Sequence, residues 1–223
     1  MLDDWIDLRW RYKAFLPLIA AIPLISLASK LQLRTSIAVP LMGTLDFGVY
    51  YYFILIPVIV TIVTNTVNQL GGLNGLETVC PAVIMVGLMI ISGENAALLY
   101  GPLAAWLVLA FFNFRGKIFV GNTGSFAIGM TLASHAIISD VKSDLVVSIL
   151  PYVFNSSLIL LTYFFFKTKA NVAFDGQKLV SDHRRSLVTL VTYRRPLTER
   201  QVVLIISLIV AITTTIGILA GLM

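Results

Sequence analysis

The sequence predicts an all-α, polytopic membrane protein with about seven transmembrane helices and a cytoplasmic N-terminus. Of its 223 residues, 58% are hydrophobic and only 12% are charged, whereas an average soluble domain has about 25% charged residues. The apolar residues are grouped into long runs, and the Lys and Arg residues are concentrated in alternate loops between those runs. These three observations together predict the fold class.

The apolar runs follow a polar N-terminal segment, residues 1–13. A spanning helix needs about 20 apolar residues, so the run 79–91 is the least certain span and is also typical of a core or re-entrant helix. It is expected to form a hairpin with the next run, and Pro151 predicts a kink in the sixth. The seven runs are residues 14–29, 47–64, 79–91, 96–112, 124–139, 145–166 and 202–222.

The loop charges orient this topology. With the N-terminal segment in the cytoplasm, the loops 65–78, 113–123 and 167–201 are cytoplasmic too, and these four segments hold 13 of the 16 Lys and Arg residues. Cytoplasmic loops are enriched in these residues. The net charge of +5 is therefore explained by topology and does not indicate nucleic-acid binding. We expect one membrane-embedded domain over residues 1–223.

The chain is organised around the segment 65–77, which follows the second apolar run. Three asparagines, three glycines and Glu77 occupy a position where a helix should be leaving lipid. Polar groups at that depth are tolerated when they are buried in protein or line a wet cavity. Asn65 and Asn68 share a helical face, and Asn74-Gly75 is a turn pair. The segment is either a site or a polar helix end followed by a loop.

Three other cytoplasmic segments carry candidate groups. Asp3 and Asp4 form a vicinal acid pair that could hold Mg²⁺, or they belong to a solvated N-terminus. Lys13 is either a phosphate ligand or a cation at the membrane interface. The Gly-Asn-Thr-Gly-Ser run that includes Asn122 either binds phosphate at a helix start or packs closely against another helix. The loop 167–201 has eight cations, which set topology and attract anionic lipid.

These segments resemble a known family. In order, residues 2–13, 64–77 and 119–123 resemble the Asp-Asp…Leu-Arg-Trp-Arg-x-Lys, Thr-Asn-x-x-Asn…Gly-x-Asn-Gly-Leu-Glu and Phe-Val-Gly-Asp-Thr motifs of the eukaryotic and archaeal UDP-GlcNAc:dolichyl-phosphate GlcNAc-1-phosphate transferases. The bacterial transferases that make lipid-linked peptidoglycan precursors are more distant relatives. The resemblance covers nearly the whole chain.

The resemblance implies a Mg²⁺-dependent phospho-N-acetylhexosamine transferase, with Mn²⁺ as an alternative ion. A HexNAc 1-phosphate passes from a UDP-sugar to a polyprenyl or dolichyl phosphate, and UMP is released. The enzyme would act at the cytoplasmic face of the archaeal plasma membrane or the eukaryotic endoplasmic reticulum, and a homodimer is compatible with the family. The implied roles are metal ligation by Asn68 and Asn122, catalysis by Asp3, Asp4 and Lys13, and substrate binding by Asn65, Asn74, Glu77, Lys117, Phe119, Lys167 and Lys169.

Two departures from the family pattern keep alternatives open. The family aspartate of the Gly-Asp-Thr motif is Asn122 in this chain, and an amide oxygen brings no charge to a metal. The resemblance also implies ten spans, whereas seven runs are found here, so that the first three spans are expected to be missing. A non-catalytic remnant or partner subunit is therefore an alternative. A transporter is disfavoured because the spans have no line of charged residues.

Overall fold

The computed structural model describes residues 10–39, 43–168 and 171–221 of the chain, and it is mostly helical. Two short antiparallel hairpins, which the sequence analysis did not predict, add to the helices. The helices are α1 (Trp10–Ala20), α2 (Ile22–Lys30), α3 (Ile56–Gln69), α4 (Leu76–Ile91), α5 (Tyr100–Phe114), α6 (Gly121–Ile138), α7 (Lys142–Ser148), α8 (Leu150–Leu161), α9 (Leu187–Val191) and α10 (Glu199–Gly221). The paired strands are β1 (Ser36–Val39) with β2 (Gly43–Asp46), and β3 (Ala173–Phe174) with β4 (Leu179–Val180).

Short irregular helices extend three of these elements. A π-helical turn, Tyr51–Leu55, leads into α3, and a second one, Thr162–Phe166, continues α8. A 3₁₀ helix, Gly93–Leu99, joins α4 to α5 at the turn that the sequence predicts. Prolines near the starts of α2, α3 and α8 are tolerated because the first turn of a helix has no partner for its N–H groups.

Within the described residues, three helical segments are long and apolar enough to cross a membrane: Tyr51–Gln69, Gly93–Phe114 and Glu199–Gly221. A fourth is the pair Lys142–Ser148 and Leu150–Phe166, which is bent by 55° next to Pro151, where a kink was expected. The apolar helices Ala14–Lys30 and Leu76–Ile91 are shorter. Helix α6 has the length of a span but begins with polar residues. The chain is thus a helical membrane protein, and the number of seven spans stays a prediction.

The most extensive helix contacts among the described residues are those of α3 with α6, α4 with α10, and α7 with α10. Glycines lie at the closest approaches. A Cβ added to Gly129 on α6 would lie 2.7 Å from the Cα of Thr64 on α3, and one added to Gly87 on α4 would overlap the side chain of Thr214 on α10. Because lipid is as apolar as the side chains, close packing of this kind is what drives helices together in a membrane.

The predicted cytoplasmic and external loops sort to opposite ends of the bundle. Asn122 lies in the first turn of α6 and His135 lies near its end, about 20 Å further along at 1.5 Å per residue. At that far end the Nε2 of His135 lies 2.7 Å from the hydroxyl of Ser92. There too, Lys142 forms an ion pair with Asp140 at 2.7 Å and donates to the carbonyl of Arg34.

Replacing Gly129 with alanine is expected to destabilise the protein by roughly 1–3 kcal/mol, the usual cost of overpacking. The added methyl group meets the backbone of Thr64, so α3 and α6 must separate. Thermal unfolding in detergent measures the effect. Gly101→Ala is the matched control, because a Cβ at Gly101 meets nothing within 4 Å and alanine favours the helix. Equal melting temperatures for the two variants would contradict the packing argument.

Candidate functional site

Asn68 and Asn122, the two predicted metal ligands, lie in contact. Asn68 is in the last turn of α3 and Asn122 is in the first turn of α6. The Nδ2 of Asn68 donates to the Oδ1 of Asn122 at 3.1 Å, in a partly buried position. Two segments that are 54 residues apart in the chain therefore meet at one point, as the sequence analysis expected.

The helix crossing explains why these two side chains meet. Asn122, Ser125 and Gly129 follow one another at spacings of three and four residues, so they share a face of α6. The same face meets α3, where Thr64 lies one turn before Asn68. Ser125 is buried at this contact and donates to the carbonyl of Gly121. The small residues let the two helices approach until the asparagines are within hydrogen-bond distance.

A cavity of about 230 Å³ is lined by residues of the segment 65–77, by Asn113, and by two residues that lie close to Asn122 in the chain. Three predicted substrate-binding residues line it, and Phe119 is 84% exposed at its edge. Its walls thus combine an amide, a carboxyl and an aromatic ring. The lining residues are Gly72, Leu73, Asn74, Glu77, Asn113, Phe119 and Gly121.

The chain turns at Asn74-Gly75, as the sequence predicts, and the backbone is left-handed at the glycine. Gly75 has a φ of +95°, a conformation that glycine adopts without a steric penalty. A Cβ there would also lie 2.7 Å from the ring of Phe114. The N–H of Asn74 donates to the Oε1 of Glu199 at 2.6 Å, which ties the turn to the start of α10. The Asn74 side chain is therefore presented from a fixed backbone.

Glu77 lies in the first turn of α4, two residues before the span that the sequence predicts. Its Oε1 accepts the N–H of Gly72 at 3.1 Å. Burial raises the pKa of the Glu77 carboxyl, and the hydrogen bond from Gly72 lowers it in part. A Cβ on Gly71 would overlap this carboxyl group. The glycine pair at residues 71 and 72 thus gives the carboxyl room to fold back over the loop.

Two buried asparagines that the sequence analysis did not select hold the loops in place. Asn113 accepts the N–H of Gly75 at 2.7 Å and donates to the carbonyl of Ile118 at 2.9 Å. Asn155 donates to the carbonyl of Gln69 at 3.1 Å and accepts the N–H of Leu187 at 2.8 Å. In the sequence, a single asparagine within an aromatic or apolar run, such as the Phe-Phe-Asn-Phe run that contains Asn113, indicates a residue of this kind.

The basic loop folds into a small cap beside the site. Ser186 caps α9 through a reciprocal pair of hydrogen bonds with Thr189. The ring of Tyr193 is contacted by the guanidinium groups of Arg184 and Arg194, at 4.1 Å and 5.2 Å from its centroid. Such cation–π contacts stabilise a loop that has little apolar core of its own. Through Asn155, this cap is joined to the end of α3.

The other predicted site residues lie apart from the cavity or outside the described residues. The amide of Asn65 donates to the carbonyls of Ala14 and Thr61, so it joins α1 to α3. Lys117 and Lys167 are exposed, and neither is among the described residues that line the cavity.

Asp3, Asp4 and Lys169 lie outside the described residues. Lys13 is part of α1, but its side chain is not described. Over residues 10–39, 43–168 and 171–221, no three His, Cys, Asp or Glu side chains form a group that could hold a metal ion.

The fold and the site together define a membrane-embedded helical protein with a polar, loop-lined site at one end of its bundle. Comparison with known proteins agrees with this class. The sequence model of Glycosyl transferase family 4 matches residues 1–140, and the chain belongs to this family.

Individual relatives narrow the class. A Saccharolobus solfataricus protein provisionally named UDP-N-acetylglucosamine–dolichyl-phosphate N-acetylglucosaminephosphotransferase is 31% identical, over 98% of this chain and 70% of the relative. The Schizosaccharomyces pombe protein of that name is 29% identical, over 71% of this chain and 41% of the relative. A Prochlorococcus marinus phospho-N-acetylmuramoyl-pentapeptide-transferase is 27% identical, over 61% and 39%. The chain thus spans less than half of the last two relatives.

Proposed function

We propose that this chain transfers N-acetylglucosamine 1-phosphate from UDP-GlcNAc to a polyprenyl or dolichyl phosphate and releases UMP, as the first step in assembling a lipid-linked glycan. The convergence of the two cytoplasmic segments carries the proposal. Asn68 contacts Asn122, and three further predicted residues surround the adjoining cavity. The names of the archaeal and yeast relatives describe the same reaction.

The cavity is assigned to the uracil base. Its volume of about 230 Å³ is smaller than the roughly 300–1,000 Å³ of pockets that enclose a whole ligand, so it takes the base and leaves the phosphates outside. Phe119 offers a flat, exposed ring for stacking. Asn74 offers an amide with both a donor and an acceptor. The diphosphate then extends toward Asn68 and Asn122.

The reaction itself is a phosphoryl transfer. An oxygen of the lipid phosphate attacks the β-phosphorus of UDP-GlcNAc, the bond from that phosphorus to the bridging oxygen breaks, and UMP leaves with that oxygen. Asp3 and Asp4 are assigned to orient the acceptor phosphate, and Lys13 is assigned to offset phosphate charge. The exposed cations Lys117 and Lys167, together with Lys169, are available to the sugar-phosphate end.

The donor atoms of the asparagine pair fit a hard cation. Amide oxygens are ligands that Mg²⁺ and Mn²⁺ accept, and the two amide groups are already within 3.1 Å of each other. A bound Mg²⁺ would neutralise the diphosphate charge. Both amides are neutral, so the carboxylates of Asp3 and Asp4 are proposed to supply the negative charge of the site.

The proposal includes the finer topology of seven spans, with the N-terminus and the active face in the cytoplasm. The distribution of Lys and Arg residues supports it, as does the sorting of alternate loops to opposite ends of the bundle. We assign the protein to the plasma membrane of an archaeon or the endoplasmic reticulum of a eukaryote. A homodimer is also proposed, and the mass of the purified protein tests it.

Cysteine labelling tests the orientation. The chain has one cysteine, Cys80, which is buried, so a cysteine added at an exposed position gives a clean labelling signal. In intact cells (or sealed microsomes of external-side-out orientation), a membrane-impermeant maleimide is expected to label Asn95→Cys in the external turn. It should reach Asp175→Cys in the basic loop only after the membrane is opened. The reverse pattern would contradict the proposed orientation.

Release of UMP tests the activity. With Mg²⁺, UDP-GlcNAc and a polyprenyl phosphate, the full chain is expected to release UMP, and Asn68→Ala is expected to lower the rate at least about 100-fold because metal sites respond strongly to such losses. Asn95→Ala, at an exposed external asparagine, is the control. A folded wild-type protein that binds UMP but releases none would instead favour a non-catalytic partner subunit.

Asn122→Asp tests the departure from the family motif. A carboxylate adds a charge at a proposed metal ligand, and the number of charged ligands tunes affinity. The Mg²⁺ concentration for half-maximal UMP release is expected to fall roughly tenfold, which corresponds to about 1.4 kcal/mol. Asn122→Ala should raise it. An unchanged Mg²⁺ dependence in both variants would exclude Asn122 as a ligand.

A further inference from the structure

Asn113 joins the two sides of the proposed uracil cavity. It lies in the last turn of α5, and its side chain is only 2% exposed. Its Oδ1 accepts the N–H of Gly75, which directly follows Asn74, and its Nδ2 donates to the carbonyl of Ile118, which directly precedes Phe119. One rigid amide therefore fixes the backbone beside each residue that would hold the base.

We infer that Asn113 is a positioning residue that sets the spacing between Asn74 and Phe119, and through it the preference of the site for uracil over cytosine. This inference rests on the proposed function. Alanine at this position would leave two buried backbone groups without their partner, and a buried polar group without a partner is costly. The two loops would then relax independently of each other.

Base preference depends on this spacing because of hydrogen-bond polarity. Uracil presents an N3–H donor beside an O4 acceptor, whereas cytosine presents an N3 acceptor beside an N4 amino donor. An asparagine amide held in one orientation matches only one of these patterns, and the unmatched base leaves polar groups unpaired. If Asn74 and the ring of Phe119 lose their fixed spacing, the amide can turn and accept either base.

Nucleotide binding to the purified full chain provides the test, with UMP and CMP as probes and Mg²⁺ present. The wild type is expected to bind UMP at least about tenfold more tightly than CMP. In Asn113→Ala, UMP affinity should fall roughly tenfold and the preference should approach one. Asn113→Asp keeps an acceptor for Gly75 but has no donor for Ile118, so its preference should be intermediate.

Trp106→Phe is the matched structural control. The indole N–H of Trp106 donates to the carbonyl of Thr78 at 3.0 Å, and it makes neither of the two backbone hydrogen bonds through which Asn113 holds Gly75 and Ile118. Its loss should lower the melting temperature while leaving the base preference unchanged.

Three outcomes are decisive. Loss of preference in Asn113→Ala but not in Trp106→Phe supports the inference. A preference that survives in a folded Asn113→Ala protein, or in Asn113→Asp if the alanine variant does not fold, overturns the inference alone. A wild type that shows no preference for UMP overturns both the inference and the uracil assignment of the proposed function.

Discussion

The close crossing of α3 and α6 is the contact on which the polar end of the bundle depends. The two backbones approach at Thr64 and Gly129 more closely than a Cβ on the glycine would allow. Asn68 lies one turn beyond Thr64, and Asn122 lies two turns before Gly129, so both asparagines arrive at the same end of the antiparallel pair. Helix packing by small residues therefore sets the geometry of the polar pair, whose side chains are joined by a hydrogen bond.

The loops beyond this crossing have little apolar surface to bury, and buried amides hold them instead. Asn113 connects the loops that contain Gly75 and Ile118, and Asn155 connects the basic loop to α3. Each amide satisfies one backbone donor and one backbone acceptor at once. In a low-dielectric interior such bonds are strong when made and costly when lost. The polar end of the bundle is thus ordered by hydrogen bonds between loops, while the apolar part is ordered by close packing of the helices.

The sequence predicted the periodic and local features well. The long apolar runs form helices, the chain turns at Gly75 as the segment 65–77 predicts, and the helix bends next to the proline at residue 151. The convergence of Asn68 with Asn122 was also anticipated, through the resemblance. Other long-range hydrogen-bond partners could not be predicted from the sequence. Asn65 shares a helical face with Asn68 in the sequence pattern, but its side chain bonds to Ala14. The roles of Asn113 and Asn155 depend on contacts with residues 38 and 32 positions away in the chain. The hairpins β1–β2 and β3–β4 lie in loops without a clear alternating pattern.

A double-mutant cycle on Asn68→Ala and Asn122→Ala measures whether the two amides bind the same ion. UMP binding is titrated with Mg²⁺ in the wild type, the two single variants and the double variant. The measured quantity is the Mg²⁺ concentration at which UMP binding is half-maximal. If the helix crossing brings both amides to one ion, the second substitution should cost much less in the presence of the first, with a coupling of at least about 0.5 kcal/mol. Strictly additive effects would contradict the account, because they would mean that the two side chains act at separate places.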